Sequence, residues 1–203
     1  MLSKRELTIV VAIAIVVLVL GVRAWQKTTI PSAKGPVMSG RSLGSPGARV
    51  KIVEFTDFQC PACASAAKVV HRVMQENESK LFVELKYFPL PMHKNSRKAA
   101  VAAECARVQG KFWPMQELLF RDQGIWAIPD APEDNFLSLA RSVGIDEQKM
   151  MRCMASAAAE RTVADDLQEG KNLGVKATPT FFVNGKAVVG SANFEQTLKE
   201  ALR

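Results

Sequence analysis

The sequence predicts an α/β fold in which a sheet carries a mostly helical block inserted between its second and third core strands. Three observations lead there. A β-branched and aromatic run, Arg49 to Phe55, gives way to a helical pattern and then to a second alternating run, Leu81 to Phe88. Helical patterns then follow one another from Ser96 to Leu173. Last, Asn184-Gly185 separates two short apolar runs, which is the strongest short-range hairpin signal. The helical crossover implies parallel pairing in the first half, and the hairpin implies antiparallel pairing in the second.

The N-terminus comes first in order. Lys4 and Arg5 precede sixteen uncharged residues, Leu7 to Val22. A bilayer core needs about 20 apolar residues, and a signal-peptide apolar region has about 7–15. Snorkelling by Arg23 and anchoring by Trp25 supply the missing length, which favours an uncleaved signal-anchor over residues 1–25. The alternative is a signal peptide cleaved after Val22-Arg23-Ala24. Both readings keep the positive residues inside and export the body. The expected location is the inner membrane, single-pass with the domain facing the periplasm, or the periplasm if the segment is cleaved. Residues 26–47 are rich in Pro, Gly and Ser and read as a flexible linker.

Residues 48–203 read as one domain, with the helical insertion at about 93–156. Helical periodicity runs from Pro61 to about Glu78, with Val69, Val70, Val73 and Met74 on one side. Ser96 to Val108 is an alanine-rich helix stopped by Gly110. Phe112 to Phe120, Asn135 to Val143 and Asp146 to about Ser156 read as short helices, and Ala157 to Leu173 as a longer one ended by Gly174. Thr180 to Asn184 and Lys186 to Gly190 are the hairpin strands. Asn193 and Gln196 are spaced as a capping box for a last helix carrying Phe194, Leu198 and Leu202. The apolar fraction of 48% suits a packed core. The net charge of +7 is dispersed, with no basic run and no interleaved aromatics, so composition argues against nucleic-acid binding.

Chemistry centres on Cys60-Pro61-Ala62-Cys63. The spacing falls at a strand-to-helix junction, where unpaired N–H groups and the helix dipole stabilise a thiolate at Cys60. Pro61 suits the first helical position, and Cys63 follows one turn on the same face, within reach of a disulfide. Cys60 is therefore the expected attacking, solvent-facing sulfur and Cys63 the resolving one. Half of a zinc site is the rival, but no second Cys or His pair stands at ligand spacing. Glu54, six residues before Cys60 in an apolar strand, is expected to be buried with a raised pKa and to exchange a proton with Cys63. The alternative is a strand-end glutamate turned to water. Asp57 reads as a loop residue shaping the entry to the helix. His71 and His93 are not read as catalytic, the methionines beside Cys153 read as core, and Trp113 and Trp126 as packing.

Glu54-Phe55-Thr56-Asp57-Phe58-Gln59-Cys60-Pro61-Ala62-Cys63 resembles the active-site stretch of the DsbA-like thioredoxin-fold thiol:disulfide oxidoreductases. Lys111-Phe112-Trp113 with Leu118-Leu119-Phe120 resembles the inserted helical region of that family, and Gly174 to Gly185 its C-terminal hallmark. The similarity runs from about Ser45 to the end. It implies a thioredoxin fold and a cis Thr178-Pro179 bond beside the Cys60 sulfur, with the Thr178 backbone free to pair with an extended substrate. It also implies an oxidase of exported proteins with free thiols, needing no cofactor and reoxidised by a membrane quinone-linked thiol oxidase. Ala62 departs from the pattern, because the strongly oxidising members carry histidine there, and losing that cation-capable neighbour is expected to stabilise the Cys60 thiolate less and lower the oxidising power. A membrane-tethered reductase or isomerase is the same-class alternative, and a metal-handling or peptide-binding module the other. Four cysteines permit three pairings. Any pairing that spares Cys60 and Cys63 joins Cys105 to Cys153 in a structural disulfide, the alternative being two free buried thiols.

Overall fold

The computed structural model describes residues 38–203, so the signal-anchor at 1–25 and most of the linker lie outside the described residues. Among the described residues no helix is long and apolar enough to cross a membrane. The chain begins with β1 (Met38–Ser39) and β2 (Ser42–Gly44), then β3 (Val50–Thr56), α1 (Pro61–Glu76) and β4 (Leu81–Tyr87). The helical block is α2 (Ser96–Val108), α3 (Phe112–Arg121), α4 (Gln123–Trp126), α5 (Glu133–Ser142) and α6 (Glu147–Met154). The chain closes with α7 (Ala157–Asn172), β5 (Thr180–Val183), β6 (Lys186–Val189) and α8 (Ser191–Leu202).

The sheet order is β1-β2-β4-β3-β5-β6. β3 and β4 run parallel from Val50↔Leu81 to Thr56↔Tyr87, as a helical crossover demands. β5 joins β3 antiparallel, setting Glu54 opposite Phe181, and β6 returns antiparallel through Asn184-Gly185. Both turn residues have positive φ, 47° and 85°, the conformation a two-residue hairpin turn requires.

Two sequence expectations are corrected here. The linker read over residues 26–47 ends earlier, because β1 and β2 form a hairpin whose second strand pairs with β4, Leu43 opposite Val83. Composition hid it: two- and three-residue strands carry too little pattern to read, and their stability comes from the β4 edge. Arg41, between the two strands, pairs with Asp166 of α7 and lies 4.5 Å over the Tyr87 ring, which ties the hairpin to the core. The capping box is also absent. α8 begins at Ser191 with Gly190 before it, and the Asn193 side chain instead donates to the Val189 carbonyl oxygen. α4 had no sequence expectation, since four residues are too few to show a period.

Alternation along β3 sends Val50 and Ile52 into a cluster with Val70 and Met74 of α1 and Phe181, Phe194 and Leu198. Glu54 shares that parity and so lies under α1. Phe55 and Phe88 pack beneath α7, where Gly170 allows the closest approach: a Cβ there would stand 2.6 Å from the Phe88 ring. The helical block has its own core of Phe58, Tyr87, Phe112, Leu119, Trp126 and Phe136. It also holds the Cys105–Cys153 disulfide, with a Cα separation of 5.7 Å across α2 and α6. Alanines flanking Cys105 on α2 are what let the two helices come that near.

Candidate active site

β3, an interior strand, ends at Thr56, residues 57–60 form the loop after it, and α1 starts at Pro61. Cys60 caps that helix with extended backbone (φ −79°, ψ 120°), and its carbonyl oxygen already accepts from the N–H groups of Cys63 and Ala64. The Cys60 side chain thus sits where the first N–H groups of α1 are unspent. Cys60 is 8% exposed and Cys63 is fully buried, so the first sulfur is the more accessible of the two but does not stand free in solvent.

The two thiols are separate in the structure and electrostatically unequal. The neighbouring Cys63 thiol favours the charged form of Cys60, and the Cys63 backbone, Thr178 and the Ala62 backbone add to this; together they outweigh burial and pull the Cys60 thiol down to about 5. Burial pushes the Cys63 thiol far up, and bonding to Cys60 adds to the rise. Cys60 Sγ also lies 3.5 Å from the carbonyl oxygen of Thr178. Thr178-Pro179 is a cis peptide bond and leads into β5, while the buried Thr178 hydroxyl has no partner. Glu54 is 3% exposed, its Oε1 is without a hydrogen-bond partner, and burial raises its carboxyl to about 7. The Thr56 hydroxyl lies near enough to Glu54 and to Cys63 to favour the charged form of each, without reaching hydrogen-bond geometry.

Asp57 does more than shape a turn. Its buried carboxylate accepts from the N–H groups of Gln59 (2.7 Å) and Leu90 (2.8 Å) and from the Ser96 hydroxyl, and it meets His93 Nδ1 at 2.8 Å. Its own N–H points at Cys63 Sγ, 3.5 Å away. Gln123 of α4 donates to the carbonyl oxygens of Phe58 and Cys60, and Gln59 bridges to Asn95 and Ala127. The helical block therefore grips the active-site loop at several points. These partners lie 33–68 residues away along the chain, and no local signal links them. His93, which nothing in the sequence links to Asp57, serves here as a brace. Among the described residues no group of three or more His, Cys, Asp or Glu side chains could hold a metal ion.

The fold is matched by known structures. A thioredoxin-like oxidoreductase from Silicibacter pomeroyi superposes with a TM-score of 0.67 at 29% identity, covering 84% of this chain and 91% of its own. BdbD from Bacillus subtilis gives 0.67 at 24% identity over 83% and 96%, and α-DsbA1 from Wolbachia pipientis 0.70 at 18% over 82% and 91%. These last two show a shared fold. Among curated proteins, a Na(+)/H(+) antiporter NhaA 1 of Salinispora arenicola is 33% identical over 149 residues, which is 73% of this chain but only 22% of that protein. A similarly named protein of Mycobacterium sp. (strain KMS) is 35% identical over 147 residues, 70% of this chain and 23% of that protein. The chain thus spans under a quarter of the length of the curated relatives it matches. Residues 37–202 match the thioredoxin family model, and the chain belongs to that family, with the DsbA-like arrangement of a thioredoxin fold interrupted by a helical block.

Proposed function

We propose that this protein is a thiol:disulfide oxidoreductase that introduces disulfides into exported proteins. The observation that carries the reading is the inequality of the two sulfurs: a low-pKa, narrowly exposed Cys60 beside the Thr178 carbonyl, and a buried, high-pKa Cys63 behind it. A substrate thiolate attacks Cys60 Sγ of the oxidised pair, forming a mixed disulfide and breaking the Cys60–Cys63 bond. The electrons of that bond leave on Cys63, whose high pKa draws a proton to it. We assign the supply of that proton to Glu54, whose buried carboxyl is raised to about 7. A second substrate thiolate then attacks the substrate's sulfur and expels Cys60 as a stabilised thiolate. The substrate loses two electrons and the Cys60–Cys63 pair gains them. A stabilised leaving thiolate favours this direction over reduction.

Turnover requires reoxidation, which we assign to a membrane quinone-linked thiol oxidase, with residues 1–25 holding the domain at the inner membrane on its periplasmic side. Equilibration with a glutathione series tests the direction. A potential between about −180 and −120 mV supports the oxidase, whereas one near about −270 mV makes the protein a reductase.

A further inference from the structure

The loop that carries Cys60 is held from outside as well as from within. Gln123, the first residue of α4, donates from Nε2 to the carbonyl oxygens of Phe58 at 2.6 Å and of Cys60 at 3.1 Å. Only the amide nitrogen suits that place, because it carries two N–H donors and an amide oxygen would oppose both carbonyls. The other hydrogen bonds of the Cys60 backbone are local. Its N–H donates to the Asp57 carbonyl oxygen, and its own carbonyl accepts from the N–H groups of Cys63 and Ala64. Gln123 thus ties the Cys60 backbone to a part of the chain 63 residues on. α4 is a firm mount for it. The Trp126 indole is fully buried, donates to the Leu119 carbonyl oxygen at 2.8 Å and packs on Phe136 with ring centroids 5.5 Å apart. The buried Asn95 side-chain amide bonds the carbonyl oxygens of Trp126, Ala127 and Pro129, which fixes the turn that follows.

We propose that Gln123 is a positioning residue for disulfide exchange: its two N–H groups hold the main chain of Phe58 and Cys60 so that the Cys60 sulfur stays against the N-terminus of α1 and the Thr178 carbonyl. The inference rests on the oxidoreductase reading and adds a residue to it. Gln123 bonds the Cys60 main chain, so it acts through Cys60. The Cys60 thiolate is stable only while the Cys63 thiol, the Cys63 backbone, Thr178 and the Ala62 backbone stay within reach of it. Hydrogen bonds weaken steeply with distance and angle, so a small swing of the Cys60 backbone weakens several of these contacts together. A less stable thiolate is a poorer leaving group and disfavours the reduced pair, which lowers the potential. The rival is a purely structural role, in which Gln123 satisfies two loop carbonyls and contributes to folding alone.

Gln123→Met keeps the length of the side chain and removes both donors. Thiolate absorbance against pH in the full chain is expected to give a Cys60 midpoint about one pH unit above the parent's, a tenfold smaller ionisation constant. Equilibration with a glutathione series at neutral pH is expected to move about tenfold away from the reduced pair, which is about 30 mV toward a more reducing potential. Gln123→Glu has the same shape but can only accept when ionised, so it sets a carboxylate against two carbonyl oxygens. It should raise the Cys60 midpoint further, and it decides the matter if Gln123→Met fails to fold. The double variant Cys105→Ala/Cys153→Ala lowers stability without touching the loop, and is expected to titrate at Cys60 as the parent does. An unchanged midpoint and potential in folded Gln123→Met would confine Gln123 to folding and overturn the proposal. An equal rise in the double variant would overturn it too, since general loosening would then explain the effect. The titration needs no turnover. A parent that oxidises no client while its Cys60 midpoint still rises in Gln123→Met would sink the oxidase reading and leave Gln123 in its assigned place.

Discussion

Cys60 Sγ and the carbonyl oxygen of Thr178 lie 3.5 Å apart, although 118 residues separate them in the chain. The contact joins the N-terminus of α1 to the entrance of β5. It sets a reactive sulfur against backbone that an extended peptide could pair with. A substrate cysteine docked along Thr178 would arrive with its sulfur near Cys60, so positioning and chemistry share one edge.

Exchange should therefore divide unequally between the two cysteines. Cys60→Ser should abolish thiol–disulfide turnover, and Cys63→Ala should accumulate mixed disulfides with client proteins, seen as reductant-sensitive high-mass bands. Labelling that persists in Cys60→Ser but vanishes in Cys63→Ala would reverse the assigned roles.

Thiolate absorbance against pH should place Cys60 near 5, well below the usual thiol range. Ala62→His adds a cation-capable neighbour where the first turn of α1 has no charge, and should lower the value further and raise the potential. A higher value in that variant would show that the helix terminus and the Cys63 thiol already set the limit.

Burial that lifts the Glu54 carboxyl from 4.5 to about 7 means the folded protein holds its proton more tightly than the unfolded chain. Glu54 then leaves stability untouched below its unfolded pKa and costs stability progressively as pH rises through the window to about 7. Glu54→Gln should gain up to about 3 kcal/mol over the parent above that window, with the gain vanishing in acid. The same variant should slow exchange by removing the proton source for Cys63. Denaturant midpoints measured across pH test the first point; a gain that is constant with pH would show that the carboxyl does not titrate on folding.

Asp57→Ala would strip the acceptor from Gln59, Leu90, Ser96 and His93 at once. Buried donors left unpaired should cost about 3 kcal/mol or more, and the loosened loop should expose Cys63. The readout specific to the site is the alkylation rate of Cys63, expected to rise in Asp57→Ala under conditions where the protein stays folded. An unchanged rate would confine Asp57 to stability.

Cys105 and Cys153 close a loop of 48 residues. Replacing both with Ala should lower stability by about 4 kcal/mol on the chain-entropy model. Under mild reduction Cys60 and Cys63 should take up alkylating agent first, with the other pair protected until the protein is denatured. Alkylation of Cys105 in unfolded, never-reduced protein would show that no bridge was present.

What the sequence determined by itself was local. Period-2 and period-3.6 patterns placed β3, β4 and most helices, Asn184-Gly185 placed the C-terminal hairpin, and Cys60-Pro61 at a strand-to-helix step located the reactive pair, because each signal acts within a few residues. The apolar run around Glu54 pointed to burial, and the structure decided it against a strand-end glutamate turned to water. Only the tertiary structure decided what surrounds those residues. Arg41 is an unremarkable basic residue in a Gly/Ser-rich stretch until α7 brings Asp166 against it. Asp57 becomes a hub only because β4 and α2 deliver Leu90, His93 and Ser96 to its two oxygens. Long-range partners obey no period, since the sheet and the helix packing, rather than distance along the chain, bring them together.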